Sequence, residues 1–321
     1  MIKPNENYNS IFLLGPTAVG KTSLGVRLAY ELDLEIISAD SRQVYKGLDL
    51  GSGKDLAEYN YKGKDIPYHI IDVTDLSHEY NLFDYTKDFY KTFSEFQNRA
   101  LVPFTVGGTG MYLDAVIRGY ELAEVPPNPA LREQMKGASL EELAGRLLKL
   151  KPDLHNKTDL KIRERVEKAL EIAVYMQSDE YKKNKEKQKS RPDVKPLVLG
   201  TTIDRTLLRE NIKIRLRERF DAGMIDEVKN LHDKGGYSWE RMERLGLEYR
   251  FISEFLEGKI SSREELEEKL YTAICQFAKR QETWFRGMEK KGVKINWITK
   301  EADRDKKFED AFKIIKTAFQ T

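Results

Sequence analysis

Ile11-Phe12-Leu13-Leu14-Gly15-Pro16-Thr17-Ala18-Val19-Gly20-Lys21-Thr22 is the stretch that decides the fold of this 321-residue chain. Its first four residues form an unbroken apolar run, as expected of a strand buried on both faces. Gly15 to Thr22 matches the phosphate-cradling pattern G-x-x-x-x-G-K-[ST]. From Lys21 onward, Leu24, Leu28 and Leu32 recur at helical spacing. Strand, loop and helix therefore arrive in the order a phosphate loop requires. Gly15 and Gly20 permit a tight path that points successive backbone N–H groups at phosphate oxygens, and the helix N-terminus adds positive potential. On this reading Gly15, Pro16, Thr17, Ala18, Val19, Gly20, Lys21 and Thr22 hold a polyphosphate, with Lys21 on its terminal phosphate and Thr22 on Mg²⁺. The motif leaves open whether that ligand is a nucleotide or another diphosphate.

Working outward, apolar runs at Glu35 to Ser38, His69 to Val73 and Leu101 to Val106 alternate with helical stretches, which predicts an α/β fold with a parallel sheet. Between them, Leu82 to Ala100 spaces Phe83, Phe89, Phe93 and Phe96 as a helix with an aromatic core face. Pro126-Pro127-Asn128-Pro129 breaks the pattern and opens a charged, helical stretch to about Ser190 with no strand in it. The sheet pattern resumes at Pro196 to Ile203. Asp204 then stands as an N-cap for a helix whose Leu208, Ile212, Leu216 and Phe220 recur every four residues. The expectation is a P-loop NTPase-like parallel-sheet core, residues 1–120 and 196–321, interrupted by an all-helical insertion, 121–195.

Composition bounds the class. The chain is 40% hydrophobic and 34% charged, with no apolar run approaching the ~20 residues of a membrane span, so a soluble protein is expected. The polar N-terminus lacks the apolar stretch of a signal peptide, and the single Cys275 excludes a disulfide framework and a cysteine-rich zinc site. Cytoplasmic localisation follows as an expectation. A net charge of +2 gives no overall basic field, so nucleic-acid affinity must come from local clusters. Lys182 to Lys195 is such a cluster, with seven Lys or Arg against two Asp or Glu, and reads as a solvated linker or an RNA backbone contact. His69 and His78 have no partners at metal-ligand spacing and read as structural. Asp72 ends an apolar run as a Walker-B aspartate would.

Asp40-Ser41-Arg42-Gln43-Val44-Tyr45 follows the second strand, and ligands bind beyond the carboxyl ends of parallel strands. Asp40 there either accepts a proton from a nucleophile facing the phosphate loop or caps the following turn. Taken with Gly51-Ser52-Gly53-Lys54, Gly107-Gly108-Thr109-Gly110-Met111-Tyr112 and Ala278-Lys279-Arg280-Gln281-Glu282-Thr283-Trp284-Phe285-Arg286, this segment and the phosphate loop resemble the motifs of the tRNA dimethylallyltransferases, bacterial type. The likeness runs from about Ile11 to Arg286.

The resemblance implies transfer of a dimethylallyl group from dimethylallyl diphosphate to N6 of the adenine 3′ to the anticodon. Lys21, Asp40, Thr109 and Arg215 would be catalytic: Asp40 as proton acceptor, Thr109 across the reacting centre and Arg215 on a phosphate, with Mg²⁺ on Thr22. Arg217 and Arg219 lie near Arg215, and Asn211 takes the place of the first arginine of the family's pair. The flipped adenine and the anticodon loop would be met by Asp40, Ser41, Gln43, Tyr45, Arg165, Arg244, Lys279, Arg280, Gln281 and Arg286. The segment Asp159 to Glu171 stands where the family's loop-contacting helix lies, with Glu164 and Lys168 in place of Gln and Arg, and Leu247-Glu248 precede Tyr249 in a further departure. Partners would be tRNA and the prenyl diphosphate, without a membrane, and the protein a monomer. A P-loop nucleotide kinase or ATPase, a nonenzymatic RNA-binding protein and an adenylate isopentenyltransferase acting on free nucleotide remain the alternative readings.

Overall fold

The structure, a computed structural model, describes residues 2–122, 124–152, 160–188 and 191–319, of which 184–188 by backbone alone. The strands are β1 Ser10–Leu14, β2 Ile36–Ala39, β3 Asn60–Tyr61, β4 Lys64–Asp65, β5 Tyr68–His69, β6 Phe104–Gly107, β7 Pro196–Gly200 and β8 Ile295–Trp297. The first helices are α1 Lys21–Leu32, α2 Leu82–Asn98 and α3 Gly110–Ile117. Then come α4 Pro129–Lys136, α5 Leu140–Leu150, α6 Arg163–Met176 and α7 Asp179–Gln188. After β7 follow α8 Arg205–Asp221, α9 Met224–Asp233, α10 Trp239–Glu243, α11 Leu247–Leu256, α12 Arg263–Lys290 and α13 Arg304–Phe319.

Two compact units result: residues 1–120 with 193–321, and residues 121–192. The first holds a six-stranded sheet of order β5-β2-β6-β1-β7-β8, parallel throughout, and β3 and β4 form a separate antiparallel pair. Because side chains alternate along a strand, β1 feeds both faces of the sheet. Phe12 and Leu14 join a core with α2, α3, α8, α11 and α12, while Ile11 and Leu13 join another with α1 and α13. That two-sided burial is the physical content of the unbroken apolar run. In the second unit, Met135, Leu143, Leu147, Val166 and Leu170 form a small core. Arg163 of α6 there donates to the carbonyls of Met135 and Ala138.

Several expectations meet corrections. The run at His69 to Val73 is a strand only as Tyr68–His69, because Ile70 and Asp72 adopt φ of 60° and 54°, which ends the extended backbone. Asp72 is no Walker-B residue: its carboxylate pairs with the buried Lys54, which also bonds Tyr45 O and Asp49. On α2, Phe89, Phe93 and Phe96 are buried, but Phe83 is not and Tyr85 takes its place, stacked on Tyr112 at 4.0 Å. His69 and His78 bond Glu35 and Asp84. Asp204 caps α8 through Thr206 N–H at 2.8 Å. Asp159 and, for their side chains, residues 184–190 of the lysine-rich stretch lie outside the described residues.

Phe93 is fully buried in the larger core beside Phe89. Phe93→Ala is expected to destabilise the protein by ~3–5 kcal/mol, the usual cost of an aromatic cavity. Urea unfolding monitored by tryptophan fluorescence measures it, and a cost under ~1 kcal/mol would contradict the assigned packing.

Candidate active site

Strand register assembles the site. Leu14 of β1 aligns with Gly107 of β6 and Gly200 of β7, and Ala39 of β2 also aligns with Gly107. The segments beginning at Gly15, Asp40, Gly108 and Thr201 thus leave the sheet at one edge, where ligands bind in parallel α/β sheets. A cavity of about 610 Å³ opens there, wholly within the sheet-containing unit.

Thr17, Lys21 and Thr22 of the phosphate loop line the cavity, whereas Gly15 and Pro16 are buried behind it and Val19 packs into the core. Gly15 is required by space, since a Cβ would stand 2.5 Å from Thr201 O. Gly20 is required by backbone, with φ of 86°. Ala18 adopts the left-handed region without being glycine, φ 60°, and its carbonyl accepts from Asn211 Nδ2 at 3.2 Å. The residue replacing the family's arginine therefore grips the loop.

Lys21 Nζ donates to Pro16 O at 2.7 Å, and Arg215 donates to Thr17 Oγ1. Both cations rest on neutral oxygens. Burial lowers the Lys21 ammonium to about 8, with Arg215 adding to the effect and Asp40 opposing it. Burial and Arg219 lower the Arg215 guanidinium to about 10, against Glu248, Asp55 and Asp40. Two such groups in low dielectric favour an anion between them.

Asp40 also lines the cavity while its Oδ1 accepts from Arg42 N–H at 2.8 Å, so the turn-capping and cavity-facing readings coexist. Thr109 stands at the N-cap of α3, but its hydroxyl makes no cap bond to that helix. It accepts from Ser41 N–H at 3.0 Å instead, fastening the β6 loop to the β2 loop. Gln43 also lines the cavity, held between Ser38 Oγ and Gly53 O.

Two expected RNA contacts are buried, Tyr45 away from the cavity and Gln281 in its wall. Tyr45 is 2% exposed in the core, with its hydroxyl taking Tyr80 N–H, because the turn at Arg42 to Tyr45 directs it inward. Gln281 is 7% exposed and both ends of its amide bond to loops of the sheet edge. Arg244 and Arg280 do line the cavity, Arg244 also pairing with Glu240. Lys279 and Arg280 share a neighbouring surface cavity with Trp284, and Arg286 is exposed on α12. Arg165 is an exposed residue of α6 in the helical unit.

Sequence reasoning missed the support of the Gly51 loop. Glu227 of α9 accepts from the backbone N–H groups of Asp49, Leu50 and Gly51 and from Tyr249 Oη. It left open which of Arg215, Arg217 and Arg219 reaches the site and gave Glu248 no role there; Arg215 and Arg219, four apart on one face of α8, both line the cavity with Glu248, and Arg217 does not. Burial raises the Glu248 carboxyl, while Arg219 and Arg215 oppose the shift.

A family model described as IPP transferase matches residues 43–288, and one described as isopentenyl transferase matches residues 9–65. This chain belongs to the IPP transferase family. It is 53% identical over 301 residues to tRNA dimethylallyltransferase 2 of Treponema denticola, covering 92% of this chain and 97% of the relative. It is 50% identical to tRNA dimethylallyltransferase 1 of Syntrophus aciditrophicus, covering 90% and 93%. Among solved structures, the full-length tRNA isopentenylpyrophosphate transferase of Bacillus halodurans superposes with a TM-score of 0.69 at 29% identity, covering 98% of this chain and 97% of that one. A eukaryotic dimethylallyltransferase solved acting on tRNA shares the fold, with a TM-score of 0.69 at 21% identity over 90% of this chain and 74% of its own.

The lowered Lys21 value makes a pH prediction. An anion binds the ammonium form, so the affinity that Lys21 supplies for pyrophosphate is full below pH 8 and falls, by up to about tenfold per unit, above it. Calorimetric titration of wild type and Lys21→Met across that range cancels the ligand's own titration, and a pH-independent ratio would contradict the assignment. Without ligand the sign reverses. The unfolded chain holds this proton more tightly, so Lys21 makes stability rise with pH between about 8 and 10.5.

Proposed function

We propose that this protein transfers a dimethylallyl group from dimethylallyl diphosphate to N6 of the adenine 3′ to the anticodon in tRNA. The observation that carries the reading is that Asp40 shares one cavity with Lys21, Thr22, Thr109 and Arg215. A carboxylate that can take a proton thus shares the cavity with cations that can take a diphosphate. Family membership and the names of relatives at about half identity support the same chemistry.

The steps follow from those groups. Lys21 and Arg215 bind the diphosphate and stabilise the charge that grows on it as the allylic carbon–oxygen bond breaks, with the electron pair leaving on pyrophosphate. The adenine N6 attacks the same carbon, a nitrogen–carbon bond forms, and the N6 proton passes to the Asp40 carboxylate. Proximity suffices for this transfer, because the amine becomes acidic as it alkylates. Thr109 holds the Asp40 turn through Ser41 N–H.

Mg²⁺ fits the donors present. The cavity offers the hard oxygens of Thr22 and Asp40. That suits an ion that keeps its waters and relies on one or two protein oxygens plus substrate phosphates. Thr22 would hold it, and when bound it would neutralise charge on the departing diphosphate.

Apolar Met111, Phe277 and Trp284 are partly exposed on the cavity lining, a surface on which an unstacked base can rest. We assign Arg244, Lys279, Arg280 and Arg286 to RNA phosphates, and the helical unit with Arg165 to the anticodon stem-loop. Among the described residues no helix is long and apolar enough to cross a membrane. The protein would act in the cytoplasm as a monomer.

Incubating the full chain with Mg²⁺, labelled dimethylallyl diphosphate and either unmodified tRNA or AMP tests the reading. Label is expected on tRNA and not AMP, and Asp40→Asn is expected to slow transfer by about 10²–10⁴-fold. Label on AMP alone would move the protein to the free-nucleotide enzymes. Label on neither, with ATP hydrolysed instead, would make it an ATPase.

A further inference from the structure

Gln281 belongs to the segment whose cations are assigned above to RNA, yet it is buried and both ends of its amide are engaged. Oε1 accepts from Thr17 N–H at 2.8 Å, and Nε2 donates to Gly108 O at 2.8 Å. Thr17 is held from its other side as well, since Arg215 donates to its hydroxyl. Gly108 precedes Thr109, whose hydroxyl fixes Ser41 beside Asp40. One side chain, more than 150 residues distant from either partner, therefore ties the loop that would hold the leaving group to the loop that would orient the acceptor.

We propose that Gln281 is a positioning residue for the transfer, setting the spacing between the diphosphate and the Asp40 carboxylate, and that it does not contact RNA. The proposal rests on the prenyl-transfer reading. Its chemistry is specific to an amide, because one partner needs an acceptor and the other a donor from the same planar group. A carboxylate keeps the acceptor but sets a negative charge against the Gly108 carbonyl. A thioether fills the space and does neither. A further consequence is that the Thr17 amide is occupied, so the phosphate cradle works from Lys21 and the amides that follow Thr17.

The test uses the full chain. Gln281→Met is expected to lower kcat on the order of 10²-fold at saturating tRNA and prenyl diphosphate, as a misplacement of reacting groups does, with tRNA Kd unchanged. Gln281→Glu is expected to fall between the two. Its rate relative to wild type rises as pH falls, because protonation restores a donor toward Gly108 O. Weakened tRNA binding with kcat retained would overturn the proposal and return Gln281 to the RNA surface, as would variants indistinguishable from wild type. Amide exchange in the wild type guards against a variant that fails to fold. Thr17 N–H is expected to be protected in the free protein, and exchange at the rate of an open loop would overturn the tie. An inactive wild type would instead count against the transfer reading, leaving the tie to be judged by that exchange.

Discussion

Two cations held in low dielectric on neutral oxygens set the terms for the rest of this molecule. Lys21 rests on a carbonyl of its own loop and Arg215 on the Thr17 hydroxyl. Each is pushed toward losing its proton by burial and by a neighbouring positive charge. Such an arrangement costs stability in the free protein, as binding sites generally do, and a bound anion relieves it. The parallel sheet makes it possible: β1, β2, β6 and β7 end in register, so four loops meet at one edge. Two apolar cores, one on each face, bury the strands that carry those loops.

The loops are secured by side chains from distant helices. Asn211 donates to the carbonyl of Ala18, which sits in the left-handed backbone region that alanine rarely adopts. Glu227 gathers three amides of the Gly51 loop, and Gln281 bridges the loops at Thr17 and Gly108. Helices α8, α9 and α12, which follow the insertion in sequence, thus complete a site begun by the first 120 residues. This explains how a helical unit can interrupt the chain at residue 121 without breaking the core: both halves of the sheet unit are needed, and the interruption falls where neither supplies a strand.

Much of this was legible in the sequence, because it rests on local rules. The phosphate loop is a spacing of glycines between an apolar run and a helical one, and the leucine and phenylalanine repeats of α1 and α8 follow from 3.6 residues per turn. Buried Leu208, Ile212, Leu216 and Phe220 bear that out. Asp40, Thr109 and Lys21 share a cavity with Arg215 because motifs that follow parallel strands all emerge at the same, carboxyl edge of the sheet, whatever the strand order. What was not legible depends on contacts far apart in the chain. Tyr45 reads as part of a polar motif, but a turn sends it into the core. Gln281 reads as polar among cations, yet its helical phase places it with Ile274, Ala278 and Phe285 on the buried side of α12. Asp72 ends an apolar run as a metal-binding aspartate would, and only the position of Lys54 shows that its charge is already used.

The most direct measurement is a structure of the full chain with an anticodon stem-loop and an unreactive thiolo analogue of dimethylallyl diphosphate. The diphosphate is predicted between Lys21 and Arg215, with the unstacked adenine N6 at hydrogen-bond distance from the Asp40 carboxylate and the allylic carbon between them. A diphosphate bound away from those cations, or an adenine left stacked in its loop with Asp40 facing only solvent, would contradict the assignment of this cavity.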